Sequence, residues 1–391
     1  MIGLISLLAI SIGFFASVLA YDITRNDNLA VYWGQDGSGN QQQLSHYCQD
    51  DTIDNIVLAF LYVFFGPAPT LSQPEIDFAN ICNQFDNDVF PGTQLANCSF
   101  MASQIKACQA AGKIVTLSMG GATGQVGFSS DSAANSLADR VWNEFLGGSS
   151  SIRPFGTAVL DGIDLDIESG TPDHYATFVN RIRSHANGAS KKYYVTAAPQ
   201  CPFPDANIGA ALNAAPFDAV YVQFCELNTL PTPAHSSLIP DGAWTDNNFC
   251  GLNAPSDYNF ATWDNWARTQ SNNKNIKVYI GAPAGPSAAG TGYVGPNTLG
   301  NFATSAQNTY KSMGGVMLWE ASIAEQNGNF DDAIKSKLVA NALKLGATPR
   351  NSTHKAKIPA LKGSIAVKEG TSFKWPTIDF QWPLIFLRNR N

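Results

Sequence analysis

The sequence predicts an α/β protein built as a closed (β/α)8 barrel of the TIM type. Three observations predict it. Eight short β-rich runs recur between residues 28 and 322, and helix-patterned segments separate several of them. The first run also lacks the G-x-G-x-x-G turn of a doubly wound open sheet; "GQDGSGN" at 34–40 does not match it.

Taken in order, the chain opens with "MIGLISLLAISIGFFASVLA" (1–20), uncharged, mostly apolar and ending in small residues. That pattern predicts a secretory signal peptide cut after Ala20, although no Lys or Arg precedes the apolar stretch. No later segment is long and apolar enough to span a bilayer, so the mature chain is expected to carry no membrane span. The strand candidates are "NLAVYWG" (28–34), "NIVLAFLYVF" (55–64), "KIVTLSMGG" (113–121), "GIDLDIE" (162–168), "YYVTAAPQ" (193–200), "AVYVQFC" (219–225), "IKVYIGAPA" (276–284) and "GGVMLWEAS" (314–322). Helical patterns fall at 102–112, 133–147, 173–188 and 330–344. The barrel is therefore assigned to residues 21–346. Residues 347–391 hold eight Lys or Arg against Glu369 and Asp379, with no sustained period, and read as a poorly ordered basic extension. The alternative is a basic anchor to an acidic cell surface.

Composition excludes some functions. The chain is 45% hydrophobic, 14% charged and −7 overall; the tail is +6, which leaves −13 elsewhere. That balance argues against nucleic-acid binding. Seven cysteines (Cys48, Cys82, Cys98, Cys108, Cys201, Cys225, Cys250) form no C-x-x-C pair, so zinc chemistry is not expected. In an oxidising compartment they allow three disulfides and one free thiol. Sequons at Asn97 and Asn351 are glycosylation candidates.

The chemistry concentrates in "LDGIDLDIESG" (160–170), which contains Asp161, Asp164, Asp166 and Glu168. Side chains alternate along a strand, so Asp164, Asp166 and Glu168 share one face and Ile163, Leu165 and Ile167 the other. The aliphatic face suits outer helices, which aims the acids into the barrel with Glu168 at the open end. Three ionised carboxylates at that spacing repel, so at least one should keep its proton near neutral pH. Carboxyls with separated pKa values are what glycosidic bond cleavage needs. A metal site would draw ligands from several strands, and only Glu320 lies near another strand end, so no metal or cofactor is expected.

"DGIDLDIE" (161–168) resembles the D-x-x-D-x-D-x-E signature of glycoside hydrolase family 18, specifically the class III plant and yeast-type chitinases. "AVYWGQ" (30–35), "IVTLSMGG" (114–121), "AAPQCPFPD" (197–205), "YVQF" (221–224) and "GGVMLW" (314–319) are similar to the family as well. The resemblance implies a secreted endo-chitinase acting on β-1,4-linked N-acetylglucosamine by substrate-assisted, retaining catalysis, expected to be a monomer. It implies that Glu168 is the acid and base, and that Asp166 binds the acetamide N–H and shares a proton with Asp164. Tyr32, Gln35, Gln223 and Trp319 would line the sugar subsites. Cys48–Cys108, Cys82–Cys98 and Cys201–Cys250 look like the family's bridges, with a Cys201–Cys225 bridge as the alternative. One departure stands out: Cys225 replaces the family tyrosine that holds the acetamido oxygen. A thiol is a weak donor, so turnover is expected to be weakened without being abolished. A non-catalytic chitin-binding lectin or inhibitor on the same barrel is the competing function, and peptidoglycan cleavage a third.

Overall fold

The computed structural model describes residues 21–66, 73–224, 250–253, 256, 258–289 and 292–349. The proposed signal peptide, Cys225, the loop that follows it, Asn351 and nearly all of the basic tail lie outside these residues. By compactness the chain divides into Met1–Thr353 and His354–Asn391. The strands are β1 (Asn28–Trp33), β2 (Asn55–Val63), β3 (Glu75–Ile76), β4 (Ile114–Gly120), β5 (Gly162–Asp166), β6 (Tyr194–Ala197), β7 (Ala219–Gln223), β8 (Lys277–Pro283) and β9 (Met313–Trp319). The helices are α1 (Leu44–Tyr47), α2 (Ala102–Ala110), α3 (Asp131–Phe145), α4 (Tyr175–Ala186), α5 (Gly209–Ala214), α6 (Phe260–Thr269), α7 (Pro296–Thr309), α8 (Ala321–Gln326) and α9 (Phe330–Lys344).

Eight of the strands are parallel and run in the order β1-β9-β8-β7-β6-β5-β4-β2, and β1 pairs with β2 to close the cylinder. The remaining strand, β3, is a two-residue antiparallel partner of β2. All eight barrel runs read from the sequence become strands, as the closed (β/α)8 barrel requires. Alternation decides which residues meet inside. Leu29, Val31 and Trp33 face the outer layer, while Ala30 and Tyr32 join an inner cluster with Val57, Ala59, Phe60, Ala198, Ala219, Tyr221, Tyr279 and Met317. Ile163, Leu165 and Ile167 belong to the outer cluster, which places the acids of β5 inside.

The helices form for local reasons as well as packing. Ser130 caps α3 by accepting the Ala133 N–H at 3.1 Å, and Asp131 opens its first turn. Ala134, Leu137, Ala138, Val141 and Phe145 then make its buried stripe. Helices α6 and α7 were not among the segments read as helical, although Phe260, Trp263, Trp266 and Ala267 give α6 an amphipathic stripe. Asn- and Thr-rich α7 has modest intrinsic propensity, and its burial of Leu299, Ala303 and Ala306 against the barrel holds it.

At the base of the barrel an aspartate just before a strand repeatedly accepts a neighbouring strand's N–H. Asp54 takes Leu29, Asp161 takes Val115 and Asp218 takes Val195, at 2.7, 2.8 and 2.9 Å. Each also meets a cation: Lys335, Lys191 and Arg183 respectively. Asp161, the first acid of the motif, is thus a strand-fixing group far from the mouth.

Among the described residues the disulfides are Cys48–Cys108, Cys82–Cys98 and Cys201–Cys250. Pairing of Cys201 with Cys250 removes the Cys201–Cys225 alternative. Cys82–Cys98 spans 16 residues of a region with almost no regular structure, where chain entropy is the main cost of order. The double variant Cys82→Ala/Cys98→Ala is expected to lose about 3 kcal/mol in urea unfolding. A loss below about 1 kcal/mol would mean that the segment is held by its other contacts.

Asp331, at the start of α9, faces Asp50 across Thr52, whose Oγ1 lies 2.6 Å from Asp50 and 3.0 Å from Asp331. Burial and the Asp50 charge push Asp331 up to about 8. A carboxyl raised in the folded state favours folding fully below its unfolded pKa of about 3.9, and that contribution is lost as pH rises toward 8. Thermal stability should therefore fall over this window, and Asp331→Asn should flatten the fall. An unchanged slope in the variant would contradict the assignment.

Candidate active site

The register of β5 against its neighbours builds the floor of the site. Asp164 lies opposite Ser118 on β4 and Thr196 on β6, so three polar side chains meet at one level inside the barrel. Ser118 Oγ donates to Asp164 at 2.8 Å, Thr196 Oγ1 at 2.6 Å and Tyr32 Oη at 2.6 Å. Asp164 is wholly buried, and among the described residues no cation pairs with it. Burial raises its pKa, and the three hydroxyl donors oppose that shift. They fix Asp164 in place and occupy its oxygens.

One step toward the mouth, Asp166 lies opposite Gly120. A Cβ at Gly120, where φ is +119°, would stand 2.1 Å from the Asp166 carbonyl oxygen, so only glycine lets β4 pass this close. Glu168 stands two residues beyond Asp166, just past the end of β5. Gln223, the last residue of β7, ties the two acids together. Its Nε2 donates to Asp166 at 2.8 Å, to the Ala198 carbonyl at 3.0 Å and to Glu168 at 3.2 Å. Asp166 and Glu168 are also hydrogen-bonded to each other. Burial, then the charges of Glu168 and Asp164, push Asp166 well above the carboxylate range. Burial raises Glu168 too, but hydrogen bonds from Gln223 and Asp166 hold it back. Both carboxyls are thus held toward their protonated forms, Asp166 the more strongly, and they titrate as a pair. The resemblance implied a proton shared between Asp166 and Asp164. In the structure Asp166 is hydrogen-bonded to Glu168 and also feels the Asp164 charge, while three hydroxyls donate to Asp164.

Above these groups lies a cavity of about 210 Å³, lined by Tyr32, Gln35, Phe60, Asp166, Glu168, Gln223, Met317 and Trp319 among others. Trp319 and Phe60 are stacked, with centroids 5.8 Å apart, and Tyr32 leans on Trp319 at 5.3 Å. Gly121 makes room for Phe60: a Cβ there would touch the ring at 2.7 Å. An apolar wall opposite paired carboxyls suits a sugar, whose C–H faces pack on rings while its hydroxyls and amides seek polar groups.

All the described candidates come together here, but with divided duties. Trp319, braced by Phe60 and Tyr32, lines the cavity, whereas the Tyr32 hydroxyl is committed to Asp164. Gln35 Nε2 donates to the carbonyls of Gly34, Ala59 and Asp77, so its amide nitrogen secures the mouth of β1 and β2. Glu320 is buried away from the cavity and caps α8 through the Ser322 and Ile323 N–H groups. Among the described residues one trio of carboxylates, Asp50, Asp331 and Asp332, could share a cation, and it lies on the barrel's flank. Sequon Asn97 is half-buried and accepts the Ser99 N–H.

Ser118, Thr196, Phe60 and Asp205 were not singled out from the sequence. Asp205 accepts the N–H groups of Gln200, Asn207 and Ile208, and its charge raises Glu168. Ser118 and Thr196 were findable: each is an inward position of a strand beside β5.

Paired carboxyls under an aromatic wall, at the C-terminal mouth of a closed parallel barrel, define the site of a glycoside hydrolase. The chain belongs to the glycosyl hydrolases family 18, which it matches over residues 28–357. It is 42% identical over 312 residues to "Chitinase 2" of Rhizopus oligosporus, covering 79% of this chain and 52% of that protein. It is 38% identical to "Endochitinase 33" of Trichoderma harzianum, covering 83% of this chain and 95% of that protein. The chain thus spans about half the length of the Rhizopus relative. Among solved structures, a chitinase from Ipomoea carnea is 32% identical with a TM-score of 0.61, covering 79% of this chain and 99% of that one. A xylanase and α-amylase inhibitor protein is also 32% identical, with a TM-score of 0.60 and coverage of 79% and 98%.

Proposed function

We propose that this chain is a chitinase that hydrolyses β-1,4 bonds between N-acetylglucosamine units with retention at the anomeric carbon. The observation that carries the reading is the Asp166–Glu168 pair held by Gln223. These carboxyls touch each other, so they cannot flank a sugar as the separate acid and nucleophile of an ordinary retaining enzyme. Among the described residues no other acid lines the cavity. The nucleophile then has to come from the substrate, and an N-acetyl group supplies one in its carbonyl oxygen. As the sugar enters, the shared proton passes from Asp166 to Glu168 and on to the glycosidic oxygen, while the acetamido oxygen closes on the anomeric carbon. Asp166, now a carboxylate, accepts the acetamide N–H. Glu168, now a base, takes a proton from the water that opens the oxazolinium ring. Trp319 is the floor under the reacting sugar.

Secretion belongs to the same reading, supported by the apolar N-terminus and three disulfides. Among the described residues no helix is long and apolar enough to cross a membrane. The test is to follow hydrolysis of chitotetraose and chitohexaose by proton NMR. Products should appear first as the β-anomer; initial release of the α-anomer would end the substrate-assisted mechanism. The likeness to an inhibitor protein, together with Cys225 in place of the family tyrosine, favours a second reading: a non-catalytic chitin-binding protein. Saturable oligosaccharide binding without any cleavage would select it.

A further inference from the structure

The end of the barrel opposite the acid pair holds a second cavity, of about 600 Å³. Its walls come from the segments that enter β1, β6, β7, β8 and β9 and from the end of α6. Five cations line it against a single carboxylate, Asp218, in a chain whose overall charge is −7.

The cations differ in whether that charge is answered. Arg268 is paired with Asp264 at 2.8 Å. Asp218 is occupied by Arg183 at 2.7 Å and by the Val195 N–H, and reaches Lys192 only at 3.4 Å. Among the described residues Lys274, Lys277 and Lys311 have no carboxylate within ion-pair distance. Lys274 and Lys311 are exposed on the rim. Lys277 is half-buried, and its Nζ donates to the Met313 carbonyl at 3.3 Å. The acid whose charge reaches it, Asp22, is turned to the N–H and hydroxyl of Thr24. Taking an ammonium out of water is costly, and burial lowers the Lys277 pKa despite the opposing Asp22 charge. Three of the five cations, Lys274, Lys277 and Lys311, thus lack an ion-pair partner among the described residues, although Lys274 Nζ donates to the Thr269 carbonyl at 2.9 Å.

We propose that this basal cavity is a binding site for a multiply charged oxyanion of the phosphate or pyrophosphate type, separate from the sugar site. Lysine ammoniums act as point charges, which suits a compact tetrahedral anion with charge on several oxygens. Lys277 supplies the inner contact, and Lys274, Lys311 and Lys192 close on the anion from the rim. The room exceeds that of a bare ion, so a phosphate carried on a small organic body also fits.

The experiment is isothermal titration of the full chain with sodium pyrophosphate and sodium phosphate, with sodium chloride at matched ionic strength as the blank. One saturable site is expected, tighter for pyrophosphate, with a rise in melting temperature at saturation. Because replacing half-buried Lys277 endangers the fold, the main variant is Lys274→Met/Lys311→Met, on the exposed rim. It should weaken binding by about tenfold or more, as expected for removing two charge-assisted contacts. Hydrolysis of chito-oligosaccharides should be unchanged in that variant. Absence of a saturable site, heat reproduced by chloride, or equal affinity in the double variant would each overturn the proposal.

Discussion

Replacing Glu168 by Gln should lower kcat on a chito-oligosaccharide by about a thousandfold, while the dissociation constant for the substrate moves only a few-fold. The amide matches the carboxyl in shape and can still meet Gln223, which now donates to Glu168 at 3.2 Å. It cannot release a proton to the leaving oxygen or take one from water. A thousandfold loss corresponds to about 4 kcal/mol of transition-state stabilisation. Steady-state kinetics beside direct binding of the uncleaved oligosaccharide separates the two effects. If kcat falls less than about tenfold, Glu168 is not the proton donor and the mechanism proposed above fails.

The second large effect is that of Asp166→Asn, which should reduce kcat by about a hundredfold and also change the pH profile. The first part follows because an amide cannot hold the shared proton and pairs less strongly with the acetamide N–H. The second part follows from the pair. In the wild type the last proton of the Asp166–Glu168 pair leaves against a neighbouring negative charge, in a buried site, and so leaves late. In the variant that repulsion is gone, and the new amide N–H can support the Glu168 carboxylate. Glu168 then loses its proton at lower pH, and the alkaline limb of kcat/KM should shift toward acid. A limb that stays put or moves to higher pH would show that Asp166 does not tune Glu168.

Alternation carried the sequence reading a long way. Knowing only that Ile163, Leu165 and Ile167 need an apolar layer, one can aim Asp164, Asp166 and Glu168 at the barrel's interior, and the structure puts them there. What alternation along one strand does not carry is the pairing between strands. Ser118 and Thr196 become partners of Asp164 only through the β4–β5–β6 register, which is a property of the closed sheet. The same holds for Gln223 on β7, which meets Asp166 and Glu168 only because the sheet closes. Residues judged one at a time also look alike when their uses differ. Tyr32 and Gln35 do line the cavity, yet their polar atoms brace Asp164 and the backbone of the mouth. Helix α7, rich in Asn and Thr, has weak local propensity and is held by tertiary burial, whereas α6 carries a legible apolar stripe of Phe260, Trp263, Trp266 and Ala267.

The barrel treats its acids in two opposite ways. Those at the base each sit beside a lysine or arginine, whereas Asp164, Asp166 and Glu168 have no such companion among the described residues. Crowding carboxyls without a counter-charge into the dry interior works against folding, so replacing Glu168, which has fewer donors than Asp164, by a neutral amide should leave a chain that resists heat better although it turns over less. Selection for endurance and selection for speed thus pull the same short strand apart. A descendant released from the need to cut sugar would gain robustness by abandoning the very groups that made it an enzyme.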